Sequence, residues 1–128
     1  MPSRFAFRLA PACCATLLSL AAHAGPSLSI YLKNYYTEYQ VVRDCADHAH
    51  LSAGDAAKAK DVITKIEAYY LHRDPSIKKD ILMKQAVAHK DAAFKMMKET
   101  NKVDQGQFCR ASLNDLVSKL QDIEAAAK

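Results

Sequence analysis

Residues 28–49 read LSIYLKNYYTEYQVVRDCADHA. Within this stretch Leu28, Leu32, Tyr35, Tyr39, Val42, Ala46 and Ala49 recur at steps of four and three. That spacing lines up side chains on one face of an α-helix, where a strand would need alternation at every second residue. Ser27 or Ser29 stands where an N-cap is needed, offering an oxygen to the free N–H groups of the first turn. The stretch also carries Cys45 near its end. The place of that cysteine restricts how the rest of the chain can wrap around the helix.

Three further apolar stripes follow. Ala56, Ala59, Ile63, Ile66 and Tyr70 form the second, behind Ser52 and Asp55, which have the spacing of a capping box. The third is expected over 75–100, with Asp74 as N-cap, Pro75 at the first helical position and Asn101 as a C-terminal cap. Its apolar arc is expected to centre on Leu82, Ala86, His89, Ala93 and Met96. The fourth helix begins near 104–108 and carries Cys109, Leu113, Leu116, Leu120 and Ile123 on one seam. Pro26, Gly54, Pro75 and Gly106 fall at or near the helix boundaries. Nothing combines β-branched enrichment with period-two alternation. Short connections between long helices make neighbours antiparallel, so the fold expected is all-α, an up-down-up-down four-helix bundle.

Upstream, Arg4 and Arg8 precede an apolar run over 9–22 that closes on Ala22-His23-Ala24. A basic start, an apolar stretch and a small-x-small ending are the parts of a secretory signal peptide. The expectation is cleavage after Ala24, giving a signal peptide over 1–24 and a bundle domain over 25–128. A membrane anchor needs about 20 predominantly apolar residues, and this run is shorter and interrupted by Pro11. Cys13 and Cys14 come too early for a lipoprotein. The mature chain is therefore expected to have no membrane span and to be exported, to a periplasm or out of the cell.

Export leaves two cysteines, Cys45 and Cys109, in an oxidising compartment, where a disulfide is the default. In an up-down-up-down bundle the end of the first helix and the start of the fourth lie at the same pole, so a bridge between first and last helices is natural. Without Arg4 and Arg8, the 18 basic residues become 16 against 14 acidic ones, a net charge of about +2. The charges alternate along the helices, and Lys78-Lys79 is the one adjacent basic pair. A nucleic-acid binder needs a basic stripe, so that partner class is not expected.

Candidate sites are few. Asp44, Cys45, Asp47, His48 and His50 form the densest set of possible metal ligands, but the disulfide takes the thiol, and His48 and His50 are two residues apart on different faces. His89 with Met96 on the expected apolar arc is a possible axial pair for a haem or copper inside the bundle, although a satisfied core histidine explains it as well. No Cys-x-x-Cys-His motif is present, which removes covalent haem attachment. There is no glycine-rich phosphate loop, nucleophile elbow, zinc-protease helix or Glu-x-x-His pair, and no enzyme chemistry is expected.

Tyrosine is the remaining signal. Tyr31, Tyr35, Tyr36 and Tyr39 lie on the first helix, Tyr69 and Tyr70 near the end of the second. In an antiparallel pair these meet at one pole, where two readings stand: half of them face the core with their hydroxyls at the bundle end, or they form a recognition surface, which tyrosine suits because it joins apolar area to a polar tip. Tyr31, Tyr35, Tyr36 and Tyr69 are the candidate protein-binding residues, with truncation of Tyr31 or Tyr36 expected to spare stability. The general format, a short exported helical domain with one disulfide, resembles periplasmic acid-stress chaperones and small toxin-immunity proteins. No motif carries that likeness, so it implies no residue roles. The expected function is a non-enzymatic protein-binding module of chaperone, inhibitor or immunity type, its partner another protein and no cofactor required. The alternative is a small-ligand, metal or haem carrier with its site in the bundle core.

Overall fold

Four helices form, and their ends follow the local chemistry. The computed structural model describes residues 27–100 and 104–128. The expected signal peptide and the Asn101 cap lie outside those residues. Helix α1 covers Leu28–Asp47, α2 Ala53–Arg73, α3 Lys79–Thr100 and α4 Gln105–Ala126. Ser52 and Asp55 complete the capping box of α2, each side chain accepting from the other's backbone N–H. Asp104 caps α4 by accepting from the Gln107 N–H at 3.0 Å. At the first helix Ser27 is the N-cap residue without a side-chain cap bond; its hydroxyl pairs with that of Ser29 instead.

The start of α3 differs from expectation. Asp74 closes α2, and its Oδ1 accepts from the backbone N–H and hydroxyl of Ser76. That local bond holds Pro75 and Ser76 in a turn, which delays the helix to Lys79. The carbonyl of Lys78 accepts the first N–H groups, from Ile81 and Leu82.

The helices alternate in direction. Cys45 at the end of α1 is joined to Cys109 at the start of α4, with Cα atoms 5.9 Å apart. Tyr35 at the start of α1 stacks on Tyr70 at the end of α2. Gln40 and Asp44 meet Met83 and Lys90 in the same order along α1 and α3, so those two run parallel. The result is the up-down-up-down bundle with the first and last helices bridged. Its layout is centred on α1, which packs against each of the other three, while α2 also packs on α4.

That central place explains why α1 buries more than its stripe. Leu32 and Val42 are buried as the spacing predicts, but so are Tyr36, Gln40, Val41 and Cys45, which point to other sides of the helix. The seams of α2 and α4 lie where the periodicity places them, on Ala59, Ile63, Ile66 and Tyr70 and on Cys109, Leu113, Leu116, Leu120 and Ile123, but Ala56 is only half-buried and Val62 and Ser112 are buried beside them.

On α3 the arc is displaced. Leu82 and Ala86 are buried, but Phe94 and Met97 complete the face. His89 is exposed and Met96 is 64% exposed. The packed face is turned roughly 60° from the expected centre, at 3.6 residues per turn. The larger side chains decide the rotation: Phe94 meets Phe108 edge-on at 5.4 Å, burying more apolar area than His89 and Ala93 offer.

Candidate functional site

The pole opposite the disulfide gathers tyrosines in two layers. The inner layer is structural. Tyr36 is fully buried, and its hydroxyl donates to Glu67 Oε2 at 2.6 Å. Lys79 donates to the other oxygen of Glu67 at 3.4 Å, so this carboxylate joins α1, α2 and the start of α3. Burial first, then the Glu67 carboxylate, drives the Tyr36 phenol pKa far above its ordinary value. Tyr70, also buried, has a phenol pushed up to about 12, chiefly by burial. The expectation that truncating Tyr36 spares stability is therefore corrected: Tyr36 is a core residue, because α1 packs on that side as well.

The outer layer is accessible. Tyr31 is 39% exposed, and Tyr35 and Tyr69 are half-buried. Tyr35 lies against Tyr70 with ring centroids 6.2 Å apart, and Tyr69 meets Tyr70 edge-on at 5.2 Å. Arg73 covers one face of Tyr69, its guanidinium carbon 4.3 Å from the ring centre. Tyr39 departs from the group. It lines a separate groove between α1 and α2 with Arg43 and Lys60.

Between α1 and α4, Tyr31 and Tyr35 wall a groove of about 310 Å³. On the α1 side stand Tyr31, Tyr35 and Glu38, and on the α4 side Asp115, Lys119 and Asp122. The Lys119 ammonium lies 5.6 Å from the centre of the Tyr35 ring. Burial raises the pKa of the Glu38 carboxyl, partly offset by the Ser112 hydroxyl, and Asp115 pushes it further up. The Tyr35 phenol is raised by burial, then by Asp122, Tyr31, Asp115 and Glu38. Three carboxylates and one ammonium therefore line the groove.

Sequence reading missed Glu38, Asp115, Lys119 and Asp122. A signal was present: Tyr31, Tyr35 and Glu38 on α1 and Asp115, Lys119 and Asp122 on α4 each step by three or four residues. It marks one flank on each helix but not that the two flanks face each other.

The candidate metal ligands are dispersed. His48 and His50 are exposed at the end of α1, and His48 Nδ1 lies 2.8 Å from the Asp44 carbonyl oxygen. Both His89 and Met96 stand on the outer face of α3 rather than in the core. Among the described residues no three His, Cys, Asp or Glu side chains are grouped to hold a metal ion, and no helix is long and apolar enough to cross a membrane. No protein-family model, curated protein or solved structure matches the chain.

Proposed function

We propose that this chain is an exported, non-enzymatic protein-binding module that engages its partner through the tyrosine-walled pole. The observation that carries the reading is the division of labour among the tyrosines. Tyr36 and Tyr70 are buried and fix the helices, while Tyr31 and Tyr35 line an open groove and Tyr69 lies half-buried beside Tyr70. Rings held by a rigid base lose little conformational freedom on binding, which favours recognition. Export is supported by the basic, apolar and small-x-small order of residues 4–24 and by the Cys45–Cys109 disulfide, a bond that oxidising compartments sustain.

The test compares partner recovery by the exported protein with recovery by Tyr31→Ala and Tyr69→Ala variants, each checked for an unchanged melting temperature. Loss of a specific partner without loss of stability is the expected result. Undiminished recovery by both variants would remove the pole from the account.

A further inference from the structure

We propose that the α1–α4 groove receives a lysine or arginine side chain from an extended basic segment of the partner protein. The proposal rests on the protein-binding reading and names the chemistry of what is bound.

The first ground is that the groove already holds a cation. Lys119 reaches from α4 to place its ammonium 5.6 Å from the centre of the Tyr35 ring, within the range at which a ring face attracts positive charge. The second is that three carboxylates, Glu38, Asp115 and Asp122, line the same groove as this one ammonium. Where carboxylates meet other helices elsewhere they are answered: Asp44 by Lys90, Asp55 by Arg110 and Glu67 by Lys79. Glu38, Asp115 and Asp122 take part in no ion pair among the described residues.

The sign of the groove is also local. The chain carries a positive net charge, so a negative groove walled by tyrosine is a reversal that steers a basic segment to one place. Its volume of about 310 Å³ lies at the low end for ligand pockets and suits a long side chain better than a cofactor. Ile30, next to Tyr31 in the chain, is exposed too. Together they offer apolar area to the residues flanking the bound cation, area that a free amine would leave uncovered.

The experiment is an amide chemical-shift titration of the disulfide-bonded protein with an acetylated, amidated Gly-Lys-Gly-Arg-Gly peptide. A matched peptide carries norleucine and citrulline at the basic positions, and n-butylammonium chloride serves as the free amine. The basic peptide is expected to move the signals of Tyr31, Tyr35, Glu38, Asp115 and Lys119. Joint replacement Asp115→Asn and Asp122→Asn, at two exposed positions, is expected to weaken it about tenfold. The proposal is overturned by an equal response to the uncharged peptide or to the free amine, by shifts elsewhere or none, or by undiminished binding to the double variant. If Tyr31→Ala abolishes partner recovery while the double variant recovers it normally, the pole remains the binding surface and the basic segment is wrong.

Discussion

Replacing Tyr36 by Phe removes one oxygen from the buried layer of the pole and keeps the ring. The lost hydroxyl donates to Glu67 at 2.6 Å, and a hydrogen bond to a charged group contributes about 1.5–3 kcal/mol. Two features place the loss near the lower figure. Glu67 retains Lys79 at 3.4 Å, and its side chain is 26% exposed, so water can take the vacated oxygen. No cavity opens, because the ring stays. The expected cost is about 1.5 kcal/mol, which lowers the melting temperature by roughly 6–12 °C for a domain of this size. Thermal and urea unfolding followed by circular dichroism measure it, with an unchanged urea slope as the check that two-state behaviour holds. Tyr36→Ala adds the loss of a buried ring and should cost about 3–5 kcal/mol. Tyr31→Ala should stay within about 0.5 kcal/mol, as for an exposed position. If Tyr36→Phe and Tyr36→Ala melt together with Tyr31→Ala, the two-layer reading of the pole is refuted.

Three other outcomes follow from separate parts of the fold. Ala49 has φ 60°, with its own N–H bonded to the Ala46 carbonyl and the His50 N–H to the Cys45 carbonyl. This left-handed helix ending favours glycine. Ala49→Gly relieves about 1–2 kcal/mol of conformational cost and gives back about 0.5–1 kcal/mol through a freer unfolded chain. A net gain near 1 kcal/mol is expected, and a lower melting temperature would contradict it. Joint replacement of Cys45 and Cys109 by Ala releases a closed loop spanning 64 positions and should cost about 4 kcal/mol in the chain-entropy model; the reading fails if chemical unfolding finds less than about 1 kcal/mol. At alkaline pH, Tyr36 and Tyr70 have raised phenol pKa values, Tyr70 to about 12. Their contribution is therefore complete below the ordinary tyrosine value near 10 and declines as pH rises above it, for Tyr70 through the window from 10 to about 12 and for Tyr36 beyond that window as well, by up to about 1.4 kcal/mol per group per pH unit. Phenolate absorbance that rises fully before unfolding would show the buried hydroxyls to be misplaced.

The legible part of the fold lies in helices that bury a single seam. On α2 and α4 the apolar spacing names most of the buried residues, missing Val62 and Ser112 at the edges of the seams and including Ala56, which is half-buried. The disulfide was legible for a related reason: alternating directions bring Cys45 and Cys109 to the same pole, and the structure joins them. On α1 the same reasoning fell short. Periodicity assumes one buried face, and a helix packed against three others buries Tyr36, Gln40 and Val41 outside its stripe. Burial of Tyr36 then turns a surface candidate into a core residue.

The shortfall on α3 has another cause. Its composition offers two overlapping arcs, one with His89 and Met96 and one with Phe94 and Met97. Spacing alone does not choose between them; the partner for Phe94 is Phe108 on α4. At the start of α3, Asp74 has two uses, as an N-cap or as the acceptor of a turn through Ser76, and the turn prevails. The groove was illegible for want of pairing information. Glu38 and Asp115 are far apart in sequence and ordinary as solvated charges, and they become a site when antiparallel packing sets them across from each other.

The measurement that bears most directly on the account is photo-crosslinking from defined positions in cells exporting the protein. A benzophenone side chain is placed at residue 31, on the tyrosine pole, or at residue 58, an exposed lysine in the first half of α2, well away from that pole. A discrete adduct to one other protein from position 31, absent from position 58, is the expected result. Equal labelling from both positions, or labelling from 58 alone, would contradict the assignment of the tyrosine-walled pole as the working surface.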